Sequence, residues 1–157
     1  VNLTSLTTIS GVTIWSGWNG KYIWFVSDLD ICNDGSGPSH GDPSYQTQTA
    51  YYNGGKYLNA DEDQYIVVPP QVRRMIVPVV MGCQARLTNM KTALWYPAMT
   101  GDIGPPDKTG EAAYCLAKKV NENVTYNSGD RNQIYLYELW PDIPAKVNDK
   151  SYKLEPA

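Results

Sequence analysis

Tyr65-Ile66-Val67-Val68-Pro69-Pro70 decides how the chain is read: four apolar, mostly β-branched residues without polar alternation, closed by two prolines. Such a run fits a central strand covered on both faces, and the prolines end it. Met75 to Met81 reads the same way. Working outward, short β-branched and aromatic runs bounded by Gly, Pro and Asn recur, and they predict strands at Val12–Trp15, Tyr22–Val26, Ala93–Tyr96 and Ile134–Leu139. Asn53-Gly54-Gly55 signals a turn joining Tyr51-Tyr52 to Lys56-Tyr57-Leu58. One segment, Glu111 to Val120, predicts a helix: Ala112, Leu116 and Val120 share a face, and Lys118 and Lys119 suit the C-terminal end of the dipole. The Pro- and Lys-rich stretch from Pro141 onward is expected to wrap the surface. The expectation is a mainly β (α+β) domain with one clear helix, its strand edges hidden by closure into a compact barrel.

With 157 residues and no internal repeat or linker, the chain reads as a single domain over 1–157, long enough to bury an adequate core. Thirteen Gly and eleven Pro imply many turns, which excludes a coiled coil or a helical bundle. The aromatic set is 12 Tyr and 5 Trp against 1 Phe. Tyr and Trp carry a polar handle on an apolar ring, so this bias points to stacking surfaces as well as a dry core. The net charge is −3 and no basic run exceeds two residues (Arg73-Arg74, Lys118-Lys119), so a nucleic-acid footprint is not visible. The longest apolar stretch, Met75 to Cys83, is broken by Pro78 and Gly82 and is far short of the roughly 20 residues of a membrane span. Cys32, Cys83 and Cys115 are spaced too widely for a zinc pattern; one disulfide plus a thiol, or three thiols, both remain open. No cofactor motif is present.

His40, the only histidine, has no Gly-x-Ser-x-Gly elbow to work with and reads as an exposed loop residue. Asp28-Leu29-Asp30-Ile31-Cys32-Asn33-Asp34-Gly35 superficially resembles a calcium loop, but EF-hand spacing fails at Cys32, Asn33 and Ser39. A strand end entering an Asx-rich turn, a looser calcium turn, or an acidic rim facing substrate all fit. The most informative segment is Gly101-Asp102-Ile103-Gly104-Pro105-Pro106-Asp107-Lys108-Thr109-Gly110-Glu111. A strand enters it, three glycines and two prolines brace it, and a helix is expected at its end. Asp102 and Glu111 displayed on such a turn are what acid/base cleavage of a glycosidic bond needs. Equally, Asp102 could satisfy turn amides and Glu111 could sit where a helix dipole favours an anion.

These residues resemble a known family. Gly101-Asp102-Ile103-Gly104-Pro105, then Lys108-Thr109-Gly110-Glu111-Ala112-Ala113 and Leu116-Ala117, are similar to the signature of the family-75 glycoside hydrolases, the fungal-type chitosanases. Upstream, Asp28 to Gly35, Asp42-Pro43-Ser44-Tyr45-Gln46-Thr47-Gln48-Thr49, Leu58-Asn59-Ala60 and Tyr65 to Pro70 resemble further family blocks in the same order. The resemblance spans Asp28 to Ala117. It departs at Ala113, where the family usually has Ser, and at Cys32-Asn33, where a shorter and more acidic turn is common. It implies an endo-acting, inverting chitosanase cutting β-1,4 links between glucosamine units, without a cofactor or metal, on a barrel of the double-psi kind. Asp102 and Glu111 would be the catalytic pair, with Glu111 as acid and Asp102 as base. Asp28, Asp30 and Asp34 would meet substrate amines. Tyr96 is a candidate substrate contact, and with Trp95 and Tyr114 a candidate apolar wall that raises the pKa of Glu111. A secreted, monomeric enzyme is expected. The rival, from another class, is a non-catalytic carbohydrate-binding or wall-loosening β-barrel.

Overall fold

The computed structural model describes residues 2–9, 11–73 and 77–155. Along the chain run β1 (Asn2–Ile9), β2 (Val12–Trp18), β3 (Ile23–Cys32), β4 (Tyr52–Asn53), β5 (Lys56–Tyr57), β6 (Tyr65–Val68) and the short α1 (Pro70–Arg73). They are followed by β7 (Cys83–Asn89), β8 (Leu94–Ile103), β9 (Glu111–Ala113), α2 (Tyr114–Val120), β10 (Asp130–Pro144), β11 (Lys146–Val147) and β12 (Lys150–Ser151).

Six strands close on themselves in the order β3-β10-β7-β8-β6-β9 and back to β3. The pairings are antiparallel except β6–β8 and β9–β3, which are parallel. The β1–β2 hairpin extends the sheet beyond β3. Closure removes the edges that an open sheet would expose, as the turn-rich, strand-rich sequence requires. Tyr135, Tyr137, Phe25, Leu29 and Leu87 fill the interior, and Tyr65 is buried under the loop on the other face of β6. The buried phenols keep their hydroxyls paired: Tyr137 donates to the Asp28 carbonyl at 2.7 Å and Tyr65 to the Asp34 carbonyl at 2.9 Å. The helix α2 packs on β8, β3 and β7.

Tyr65–Val68 is the fully buried central strand expected, and the Asn53-Gly54-Gly55 turn joins β4 to β5 with both glycines at positive φ. Three expectations change. Met75 and Ile76 lie outside the described residues, and Val77–Met81 forms no strand. Pro78 has no amide to give a ladder, and at Gly82 (φ 93°) the chain turns so tightly that a Cβ would lie 2.1 Å from the Lys153 carbonyl oxygen. The stretch from Pro141 does not simply wrap the surface: β10 continues to Pro144, and a β11–β12 hairpin follows that buries Ala145 and Val147.

The third change matters most. The predicted helix begins only at Tyr114, because Glu111–Ala113 is the strand that closes the barrel between β3 and β6. Glu and Ala prefer helix, but here the ladders on both sides decide, since an open barrel would leave the β3 and β6 edges unpaired. Ala112 and Ala113 are fully buried, so only small side chains fit this seam.

Candidate active site

Gly101 is the local device that aims Asp102. Ile66 pairs with Thr100 while Val67 pairs with Asp102, so Gly101 is an extra residue in β8. Such a bulge re-aims the side chain that follows. A Cβ on Gly101 would come within 2.4 Å of the Leu58 side chain and 2.8 Å of the Tyr65 Cβ, which makes glycine the residue that fits. Asp102 is 8% exposed, and its Oδ1 accepts hydrogen bonds from the amides of Ala50 and Ile103, both at 2.9 Å.

Glu111 is fixed by β9. It pairs with Val67 on one side and with Asp30 on the other. Residues opposite one another in a ladder face the same way. Asp102, Val67, Glu111 and Asp30 therefore form one lateral row across β8, β6, β9 and β3. Two interstrand steps put the Cα atoms of Asp102 and Glu111 roughly 10 Å apart. Carboxyls projecting from such positions can reach the ~6.5–9.5 Å separation used for inversion. Strand β9 starts where it does because Gly110 (φ 73°) passes against β3: a Cβ there would lie 2.3 Å from the Asp28 carbonyl oxygen.

The row opens into a cleft of about 590 Å³. Asp30, Asp34, Asp42, Asp102 and Glu111 line it, with Lys108 the one cation in its lining among the described residues. Burial, then the charge of Asp30, pushes the Glu111 pKa up to about 8, against the pull of Lys108. Burial also raises Asp102 to about 6, although its two amide donors favour the ionised form. Asp30 is raised by burial in spite of Lys108 and Arg131, and Asp34 by burial in spite of the Gln46 amide it accepts from. The proximity of several carboxylates in a partly dry cleft is the arrangement that separates acid from base. Because Glu111 sits on a strand, no helix dipole opposes the shift.

Not every predicted residue reaches the cleft. Asp30 and Asp34 do, but Asp28 is buried behind Gly110, its Oδ1 accepting from the Ser27 hydroxyl, and burial with the neighbouring Asp30 raises it to about 6. Tyr96 does not line the cleft either. It pairs with Leu87, which pairs with Tyr137, so it belongs to the interior row near α2, where Lys119 lies 5.7 Å from its ring. Trp95 points the opposite way, outward, and of the proposed wall only Tyr114 approaches the site, through its 3.9 Å stack on Tyr126. His40 is no isolated loop residue. Its Nε2 lies 2.7 Å from Asp61 and its ring stacks on Tyr126 at 3.5 Å.

Tyr126, Asn127, Gln46 and Lys108 are lining residues that sequence reasoning missed. All sit on loops, and the signal available was Gly129: a Cβ there would lie 1.9 Å from the Leu29 carbonyl oxygen, so the Tyr126–Gly129 turn is pressed against β3. Ligand atoms of Cys32, Asp34 and Asp102 lie within 4.8 Å of one another. Burial and the nearby carboxylates drive the Cys32 thiol pKa far up, so the thiol stays protonated beside the two carboxyls. All three cysteines are free, which settles the pairing question left by their spacing.

Fold and site together define a closed six-stranded β-barrel whose outer face carries an acidic cleft with two carboxylates, Asp102 and Glu111, in one row either side of Val67. No protein-family model matches the chain, and no curated protein matches it in sequence. No helix among the described residues is long and apolar enough to cross a membrane.

Proposed function

We propose that the protein is a secreted, inverting glycoside hydrolase, an endo-acting chitosanase that cuts β-1,4 bonds between glucosamine units. The observation that carries this reading is the single row in which Asp102 and Glu111 flank Val67. Their different surroundings support a division of labour. Glu111, the more strongly raised, holds a proton near neutral pH and delivers it to the glycosidic oxygen as that bond breaks. Asp102, steadied as an anion by two amides through Oδ1, leaves Oδ2 to take a proton from the water that attacks the anomeric carbon from the other side. The product anomer is inverted and each carboxyl ends in the other's protonation state, to be reset through solvent.

Asp30 and Asp34 supply the negative lining that fits a polymer of protonated amines, and an open groove of this size suits attack within a chain. The ordered likeness to the family-75 blocks from Asp28 to Ala117 supports the same substrate.

The test is release of reducing ends from soluble chitosan, compared with chitin and cellulose, with the first-formed anomer read by NMR. A binding or wall-loosening barrel would release none. Substrates with leaving groups of graded acidity then assign the roles. Glu111→Gln should recover activity on an activated leaving group and Asp102→Asn should not; the reverse pattern exchanges acid and base.

A further inference from the structure

We propose that the barrel carries a second carbohydrate-binding surface: an outward aromatic face on β2, β3, β10, β7 and β8 that takes neutral pyranose stretches of a polysaccharide. Gly17, Trp24, Glu138, Arg86 and Pro97 pair in one row across these strands, so they share a face. By strand alternation Trp15, Trp140 and Trp95 belong to the same face, so four of the chain's five tryptophans are outward here. Trp95 is 56% and Trp15 50% exposed.

The face is built, not incidental. The Arg86 guanidinium lies 5.3 Å from the Trp95 ring and 5.7 Å from the Trp140 ring, which brackets the cation between two indoles. Glu138, almost fully buried, fixes that guanidinium at 2.9 Å, and Tyr22 packs on Trp140 at 5.3 Å. Gly17 has no side chain because the Trp24 indole lies over it; a Cβ would come within 2.4 Å of the ring. Rings held in place before binding lose little freedom on contact, the condition for a stacking platform.

Charge selects the occupant. Of the ion pair, Arg86 is the exposed partner, its side chain 38% accessible against 4% for Glu138. Protonated amines are therefore repelled where the indoles are available, while the C–H faces of an uncharged sugar ring stack on them without penalty. The cleft, lined by carboxylates, has the opposite preference. Trp24 and Asp30 lie six residues apart on β3, and Trp95 and Asp102 seven apart on β8, so the surfaces are separated by roughly 20 Å along shared strands. The inference is independent of hydrolysis in the cleft.

The experiment measures depletion of the protein from solution by insoluble chitin and by cellulose, for wild type, Trp95→Ala, Trp15→Ala/Trp95→Ala and Asp102→Asn. Wild type and Asp102→Asn should partition alike, Trp95→Ala should weaken partitioning about tenfold, and the double variant further. Trp95→Phe, which keeps a ring, should restore most of it, and the tryptophan variants should keep wild-type melting curves and wild-type binding of short glucosamine oligomers. No binding of either polymer by wild type, or equal binding by the Trp95→Ala variant, overturns the proposal. So does a concentration-dependent dimer that Trp95→Ala abolishes, since the face would then be a contact between two copies. Absence of chitosan hydrolysis would sink the enzymatic reading and leave this surface untouched.

Discussion

Glu138 and Glu111 are both withdrawn from water on the same outward side of one barrel, yet their surroundings are opposite. Glu138 is held by Arg86 at 2.9 Å, and the pair is roofed by indole rings. Glu111 has carboxylates for neighbours, only Lys108 offsets them, and its pKa rises to about 8. Burying a charge is tolerable when it is paired and costly when it is not. Stability alone would favour the first arrangement everywhere. The cleft keeps the second, which is what the proposed acid–base pair needs, while the outer face keeps a fixed shape.

The largest effect expected is on catalysis. Asp102→Asn and Glu111→Gln should each lower chitosan hydrolysis by about 10²–10⁴-fold with the fold intact, because general acid and base groups contribute on that scale. In the wild type, activity should fall as pH drops through about 6, when Asp102 protonates, and fall again as pH rises through about 8, when Glu111 ionises. Near-native turnover of either variant on chitosan, or a rate flat from pH 5 to 9, would break the assignment.

The second effect is on stability and tests the contrast directly. The Glu111 pKa is raised from 4.5 to about 8, so between those values the folded chain holds a proton that the unfolded chain has released. Stability contributed by this group is full below pH 4.5 and is lost as pH climbs through 8. Glu111→Gln removes that dependence and should stabilise the protein at pH 9 by on the order of 2–3 kcal/mol, with little change at pH 4. Chemical denaturation at both pH values measures it.

On the outer face the sign reverses. Arg86→Ala leaves Glu138 buried without its partner and should cost about 2 kcal/mol, less than a fully buried pair because Arg86 is partly exposed. Replacing both residues by apolar ones, as in Arg86→Met/Glu138→Leu, should cost much less. If the double change were as damaging as the single one, packing of the arginine stem and not the unpaired carboxylate would be the cause.

Much of this was legible in the sequence and the rest fails for definable reasons. Tyr65–Val68 announced a doubly covered strand, and the braced segment from Gly101 to Glu111 announced the carboxylate pair. Glu111–Ala113 did not announce a strand, because its residues favour helix and only closure between β3 and β6, distant in sequence, reverses that preference. Trp95 and Tyr96 could not be told apart: adjacent residues on a strand face opposite ways, and which one points outward depends on where β8 joins β7. Asp28 read as part of an acidic rim until Gly110 is seen pressing against it. Lining residues such as Tyr126 belong to loops, whose path no periodicity encodes.

The smallest effect expected concerns the seam between strand and helix. Ala113 ends β9 and is also the N-cap of α2, with φ −54° and ψ 143° and no side-chain cap hydrogen bond; the Cys115 amide already donates to the Ala60 carbonyl at 3.0 Å, so a cap here would serve the amide of Leu116. That amide is left unpaired by the helix itself and gains from a side-chain oxygen at the cap. Serine adds one oxygen to the Ala113 side chain, the smallest change that supplies a cap acceptor at this fully buried position. Ala113→Ser should therefore stabilise the protein by about 0.5–1 kcal/mol, read as a modest rise in the denaturation midpoint with unchanged slope. Because Ala113 lies two residues from Glu111 on the closing strand, the variant also separates scaffold from chemistry. A gain in stability with hydrolysis unchanged assigns the hydroxyl to the cap. A change in rate with stability unchanged would mean that it acts on the cleft, and the capping account would be wrong.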